Sequence, residues 1–336
     1  MAQKVNSTIH EIARHAGVGV GTVSRVLNDS PNVSPTTREH VLKIIAERGY
    51  RPKTAAKVLR TSKTHVIGFI TDEIATTPFA GNIIRGAQDA AWEQGKILLL
   101  VNTNFNADIL QAAIETMLDR QVEGIIYATM YHHAVTLPSI IYEVPAVLLD
   151  CYAEDRSLPS VVPDEVLGGR TATEQLLHKG HRRIGFINDI DLIPARFSRL
   201  EGYQQALAAC QIDFDASLVC YHSPQPTGGY QGCMVLMSLP NPPTAIFCFN
   251  DRMAMGAYDA LRELHLTIPN DVAVIGFDNM DVIAANLRPP LTTMELPHYA
   301  MGQWAVNYLI EHTARPATGA PRQAKLACPL IERASI

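Results

Sequence analysis

The sequence predicts a small all-α head followed by an α/β body built on parallel sheets. Two observations predict it. Residues 8–49 hold three short stretches of helical periodicity, joined by turn signals. From His65 onward, short apolar runs alternate with amphipathic stretches, the pattern of buried strands covered by helices. Charge divides at the same place. Residues 1–65 carry eleven Lys or Arg against four Asp or Glu, a net +7, and the remainder carries 17 against 29, a net −12. A basic head on an acidic body is the footprint of a nucleic-acid-binding module joined to something else.

The first helix is read from Thr8, whose hydroxyl and the Glu11 carboxylate three residues on form a capping box. Ile9, Ile12, Ala13 and Ala16 form its apolar stripe, and Gly17 supplies the positive φ of a sharp turn. In the second helix Val23, Val26 and Leu27 are expected inward, leaving Val20, Gly21, Thr22 and Arg25 outward. Those outward positions lie in the first turns, where a helix laid in the major groove meets base edges. Thr8, Ser24 and Asn28 join them as candidate DNA contacts. Ser34 caps the third helix, Pro35 opens it, Val41, Leu42 and Ile45 are its expected buried side, and Gly49 and Pro52 end it.

Gly17, Gly19 and Gly21 do not form a phosphate-cradling loop. Their G-x-G-x-G spacing follows a helix, whereas such loops follow a strand and use other spacings. A helical hairpin without a partner is the plainer alternative, and the +7 charge argues against it.

Residues 50–64 form a basic connector with helical potential, too short to be a stable helix alone in water. In the body, strands are expected at 66–70, 97–101, 124–128, 146–149, 183–187, 245–249 and 272–277. Helices are expected at 79–94, 108–120, 165–179, 199–209 and 251–264. Strand after strand ends in Asp or Asn: Asp72, Asn102, Asn104, Asp150, Asn188, Asp189, Asn250, Asp251, Asp278 and Asn279. Ligands of open parallel sheets bind beyond the carboxyl ends of strands. About half of these residues are assigned to helix caps instead, since Asp and Asn favour that position. The remainder form an acceptor-rich lining that suits a neutral, polyhydroxylated ligand, with Arg199 adding a forked donor.

The composition excludes several classes. No apolar run is long enough for a membrane span, and no apolar signal region precedes the first helix, so a cytoplasmic protein without membrane contact is expected. The six cysteines show no CxxC spacing and are expected reduced and buried. The histidines show no metal-binding spacing, so no metal and no cofactor are expected. Absence of a nucleophile elbow or fixed acid pair argues against a sugar-processing enzyme.

The runs I-x-E-I-A, A-G-V and T-V-S-R-V-L-N, then V-S-P-T-T-R and G-Y-R-P, resemble the DNA-binding head of the LacI/GalR (lactose-repressor) family of transcription regulators. The likeness extends over nearly the whole chain. It implies a helix-turn-helix domain at 1–49 and a hinge helix or linker at 50–64. It further implies a periplasmic-binding-protein-like body of two doubly wound parallel-sheet subdomains, 65–163 with 296–326 and 164–295 with 327–336. The function implied is a homodimeric repressor that binds a pseudo-palindromic operator and senses a small sugar or sugar derivative between the subdomains. The hinge implied folds on DNA and wedges Leu59, with Ala56 beside it, into the minor groove. Lys53 belongs with the basic residues that contact phosphates.

By matching motif, Arg199 in R-L-E-G-Y is the sugar clamp, Asn250 in F-N-D-R-M and Asp278 in G-F-D-N are its partners, and Asp150 is a weaker match. Asp72 and Phe79 are expected near the cleft mouth. Two departures stand out: Gly19 replaces the usual Ser cap of the reading helix, and Gly21 brings no side chain, so base discrimination falls on Arg25. The C-terminus lacks leucine heptads, so no tetramerisation helix is expected. Two alternatives remain: a purine or other metabolite as effector, stacked on Phe79 and Phe249, and a solute-binding receptor with no role at DNA.

Overall fold

The computed structural model describes residues 8–50, 64–74, 81–314 and 319–336. Contacts divide the chain into a unit up to Thr64 and a unit from His65.

The head has three helices, α1 (Ile9–His15), α2 (Val20–Leu27) and α3 (Pro35–Arg48). The capping box forms: the Thr8 hydroxyl accepts from the Glu11 amide at 3.3 Å, and the Thr8 amide donates to the Glu11 carboxylate at 2.7 Å. Gly17 and Gly49 take left-handed backbone, φ 64° and 59°, at the two helix exits. Ile12, Ala13, Ala16, Val23, Val26 and Val41 form the core. Arg38 of α3 ties the turn after α2 by donating to the Asp29 carboxylate and the Ser30 carbonyl.

Two head assignments are corrected. Leu42 is 47% exposed, and Ile44 packs against the core along with Ile45. One residue along a helix turns the side chain by about 100°, so Val41 and Leu42 do not share the narrow face this small core offers. Val20 is half-buried against the same core rather than facing out.

The body contains two six-stranded sheets. The first has order β13-β7-β5-β3-β1-β2 and is parallel throughout. Its strands are β1 (Val66–Thr71), β2 (Ile97–Asn102), β3 (Ile125–Ala128), β5 (Ala146–Leu149), β7 (Ser160–Asp164) and β13 (Gln323–Ala327). A small ladder, β4 (Ala134–Val135) with β6 (Tyr152–Ala153), sits apart. The second sheet has order β14-β12-β11-β10-β8-β9. Its strands are β8 (Ile184–Asp189), β9 (Val219–His222), β10 (Ala245–Cys248), β11 (Ala273–Asp278), β12 (Thr292–Glu295) and β14 (Leu330–Ile331), the last antiparallel to β12.

Helices cover the sheets: α4 (Gly81–Glu93), α5 (Ala107–Asp119), α6 (Glu165–His178), α7 (Pro194–Ala209), α8 (Pro226–Met237), α9 (Asp251–Glu263) and α10 (His298–Ala314). Helix α7 begins at Pro194, five residues before the expected Arg199, because Pro is well suited to a first helical turn. Helices α8 and α10 and strands β4, β6, β7, β9, β12, β13 and β14 lie outside the elements the apolar runs predict; the family resemblance alone points to β12 and α10, through residues 288–302.

The chain passes between the sheets three times: after β7 into α6, after β12 into α10, and from β13 to β14. At the first passage α6 crosses α7 closely enough that a Cβ on Gly202 would lie 2.2 Å from the Val166 carbonyl oxygen. A Cβ on Gly169 would lie 2.4 Å from the Arg199 carbonyl oxygen. Two glycines therefore permit the contact that sets Arg199 beside the start of α6.

All six cysteines are free; Cys210 is exposed and Cys220 half-buried, contrary to the expectation of general burial. Cys210 caps the end of α7, at the edge of the packed face. Among the described residues, no helix is long and apolar enough to cross a membrane.

Candidate functional site

In the head, Gly21 and Arg25 are exposed on α2, and Thr22 and Ser24 are half-exposed beside them. Gly19 takes the N-cap position with no side-chain bond, which leaves the first amides of α2 open. Thr8 and Asn28 are exposed but have local work: Thr8 caps α1, and the Asn28 amide donates to the Ser24 carbonyl at the end of α2. Lys53, Ala56 and Leu59 lie outside the described residues, as does Phe79 in the body.

In the body, a cavity of about 520 Å³ opens between the two sheets at their carboxyl ends. Met130, Tyr131 and His132 after β3, and Asp150 after β5, line it from the first sheet. Asp189 ending β8, Phe249 and Asn250 after β10, and Asp278 ending β11 line it from the second. The sequential strands β8 and β9 lie to one side of β10, and β11 to the other, so the cavity sits where the strand order reverses.

Arg199, only 3% exposed, is its central cation. Its Nε donates to Glu165 Oε2 at 2.6 Å and its Nη2 to Glu165 Oε1 at 3.1 Å. Its Nη1 donates to the Phe249 carbonyl. Nη2 lies 3.7 Å from Asp278 Oδ1, and the guanidinium sits 4.3 and 3.7 Å from the ring centres of Phe249 and Phe277. Burial alone would weaken the guanidinium as a cation, but Glu165 and Asp278 outweigh it and hold it charged.

The carboxyls around it shift the other way. Burial pushes Asp150 and Asp278 well above the usual carboxylate range; Glu165 adds to it in both, while Arg199 opposes it. Asp189 is raised by burial too, and burial lowers His132, favouring the neutral imidazole. Asp150 Oδ1 is buried with no hydrogen-bond partner. Asp150 and Asp278 also hold left-handed backbone, φ 56° and 105°, which costs an L-residue energy and recurs at binding sites. A pocket of oriented carboxyl and amide oxygens around the fixed Arg199 guanidinium is equipped to exchange hydrogen bonds with hydroxyl groups. Among the described residues, no cluster of three or more metal-ligating side chains forms.

The structure brings Asp150, Arg199, Phe249, Asn250 and Asp278 together on one cavity. Asn250 does double duty, since its side chain also caps α9 by accepting from the Met253 amide at 2.8 Å. Asp72 is a correction. It is buried at the end of β1, accepts from the Glu73 and Met130 amides, and does not line the cavity. Asn102 and Asn104 bond one another at the far edge of the first sheet, and the Asn188 amide donates to the Arg196 carbonyl. Sequence reasoning passes over Glu165 and His132. An acid in the first turn of a helix reads as dipole compensation, and no local pattern links Glu165 to Arg199, 34 positions away.

Comparison with known proteins agrees with this arrangement. The profile of the family "Bacterial regulatory proteins, lacI family" matches residues 8–53. That of "Periplasmic binding proteins and sugar binding domain of LacI family" matches 64–334. The chain is similar to the ribose operon repressor of Escherichia coli strain K12, 33% identical over 98% of this chain and 99% of that protein. It is similar to the sucrose operon repressor of Shigella flexneri, 32% identical over 98% and 99%. Among solved structures it resembles the lac repressor dimer bound to operator and the anti-inducer ONPF, with TM-score 0.79, 26% identity and coverage of 98% and 99%. The CelR–cellobiose complex matches with TM-score 0.67, 29% identity and coverage of 98% and 100%. The chain belongs to the lacI family of bacterial regulatory proteins and is a ligand-responsive, DNA-binding regulator of transcription rather than an enzyme.

Proposed function

We propose that the protein is a cytoplasmic repressor that binds a pseudo-palindromic operator as a homodimer, and that a small sugar or sugar derivative in the cleft controls it. The observation that carries this is the cavity lined from both sheets, with Arg199, Asn250 and Asp278 converging from three different strand ends or helices. Its volume falls within the roughly 300–1,000 Å³ typical of small-molecule sites. The ribose and sucrose repressors, and the CelR–cellobiose complex, support a sugar as the ligand class. A purine is disfavoured because one face of the Phe249 ring is already covered by the Arg199 guanidinium.

At DNA, Arg25 reads a base, Thr22, Ser24 and Gly21 follow the groove wall, and Thr8, Asn28 and Lys53 support docking. Leu59 and Ala56 form the minor-groove wedge. The domain limits are head 1–49, hinge 50–64, and two subdomains exchanging at 163–164, 295–296 and 326–327. The ligand shifts the equilibrium only so far as it binds one cleft form better than the other. The test is operator binding by the full chain, on a site recovered by selection, against a panel of sugars. One sugar that changes operator affinity, with the change lost in Arg199→Ala, supports the reading. Operator affinity indifferent to every sugar counts against it.

A further inference from the structure

We propose that Glu165 makes the cleft selective against anions, so that the effector is a hydroxylated molecule without phosphate or carboxylate. This rests on the reading of the cleft as the effector site. A guanidinium binds an oxyanion through a forked edge of two N–H groups. In Arg199 the Nε/Nη2 edge is filled by both oxygens of Glu165, at 2.6 and 3.1 Å. Nη1 already donates to the Phe249 carbonyl, and the far side of Nη2 looks at Asp278 Oδ1, 3.7 Å away. Phe249 and Phe277 lie over the guanidinium plane. No edge of Arg199 is left for an oxyanion.

The wider lining is predominantly acidic. Among the described residues, five carboxyl side chains line the cavity against two guanidiniums, Arg199 and Arg252. The Glu165 carboxylate itself stands between the guanidinium fork and an incoming phosphate. A hydroxyl has no such difficulty, since it both donates and accepts. It can accept from Arg199 Nη2 while donating to Asp278, across a gap now too long for a direct hydrogen bond. A second hydroxyl meets Asp150 Oδ1, which is buried without a partner. Glu165 is held for this task by position: it is the first residue of α6, at the passage between sheets, and Gly169 and Gly202 lock α6 against α7 one turn on.

The test compares ribose, ribose 5-phosphate and orthophosphate by calorimetry and thermal shift on the full chain. The proteins are the wild type, Glu165→Gln, Glu165→Asp and the double variant Glu165→Gln/Arg199→Ala. The wild type should reject both phosphates. Glu165→Gln keeps the side-chain shape, removes the charge and frees the fork, so its phosphate affinity should rise at least about tenfold. Glu165→Asp keeps the charge and should still reject phosphate, and the double variant should lose the gain. A folded Glu165→Gln with no gain, or a wild type that binds ribose 5-phosphate as tightly as ribose or tighter, overturns the proposal. If Glu165→Gln does not fold, the wild-type comparison decides alone: rejection of phosphate supports the proposal and binding overturns it. Failure of the effector reading shows separately, as operator affinity that no neutral sugar changes while the phosphate comparison still reads out.

Discussion

Asp251 joins the start of α9 to the strand that leads out of the second sheet: one oxygen accepts from the Thr293 hydroxyl at 2.6 Å and the other from the Met280 amide at 2.6 Å. The carboxyl is fully buried, and burial raises its pKa to about 7, against the opposing pull of these two bonds and of Arg333 and Arg199. When protonated it can donate to the Thr293 oxygen, whose own proton then turns to the Met294 carbonyl 3.3 Å away.

The sign of the resulting pH effect follows from the direction of the shift. The folded pKa lies above the unfolded one, so the unfolded chain gives up this proton first as pH rises. Asp251 therefore contributes most below about pH 4, and its contribution is lost as pH rises towards 7. The size is of order 4 kcal/mol, taking about 1.4 kcal/mol per unit. Asn at this position matches the protonated acid in shape and bonding. Urea unfolding of Asp251→Asn between pH 4 and 8 should show this slope removed and stability near neutrality retained or raised; an unchanged slope would show that Asp251 stays charged.

Arg199 and Glu165 form a buried pair, each about 4% exposed at the side chain. Removing one partner leaves the other charge stranded, at a cost of about 3–5 kcal/mol. Arg199→Met should lose that much in urea unfolding and also lose the response to effector. Adding Glu165→Leu should restore part of the stability but not the response. Equal stability of both variants would mean the pair is not coupled.

Helices α8 and α9 touch through glycine. A Cβ on Gly256 would fall 1.8 Å from the Pro226 carbonyl oxygen, and one on Gly229 would fall 1.9 Å from that of Met253. Backbone cannot yield as a flexible side chain can, so Gly256→Ala should destabilise by about 1–3 kcal/mol or more. A melting temperature unchanged from wild type would contradict the close crossing.

Arg25 is exposed on α2, and neighbouring Gly21 has no side chain to share base reading. Arg25→Ala should cost about 1–3 kcal/mol of specific binding and relax one position of the site. A site-selection experiment returning the same preference at every position would remove Arg25 from that role.

These residues also show what a sequence makes legible. The capping box of Thr8 and Glu11 is local, so three residues suffice to read it. The central strands are continuous apolar runs because both of their faces are buried. Strand β13 alternates exposed and half-buried residues at the sheet edge, β7 ends in Pro-Asp, and α8 carries Gly228, Gly229 and Gly232, which read as loop. Those glycines make sense only once their neighbours are in place: the Ser223 backbone at Gly228, α9 at Gly229, and β8 and β9 at Gly232. Arg199, Asn250 and Asp278 are found because each sits in a recognisable motif at a strand end or helix. Glu165 and His132 are not, because their meaning depends on which strand ends the two sheets bring face to face.

A basic head that grips operator DNA is coupled to a cleft in the acidic body that senses a small molecule. The most direct measurement is operator affinity of the full chain across a salt series, with and without the sugar that stabilises it in a thermal screen. The account predicts that log affinity falls steeply and linearly with log salt, as displaced counterions require, and that the sugar changes affinity for the wild type but not for Arg199→Ala. Salt-independent, negligible affinity for every DNA tested, or an equal sugar effect in both proteins, would contradict it.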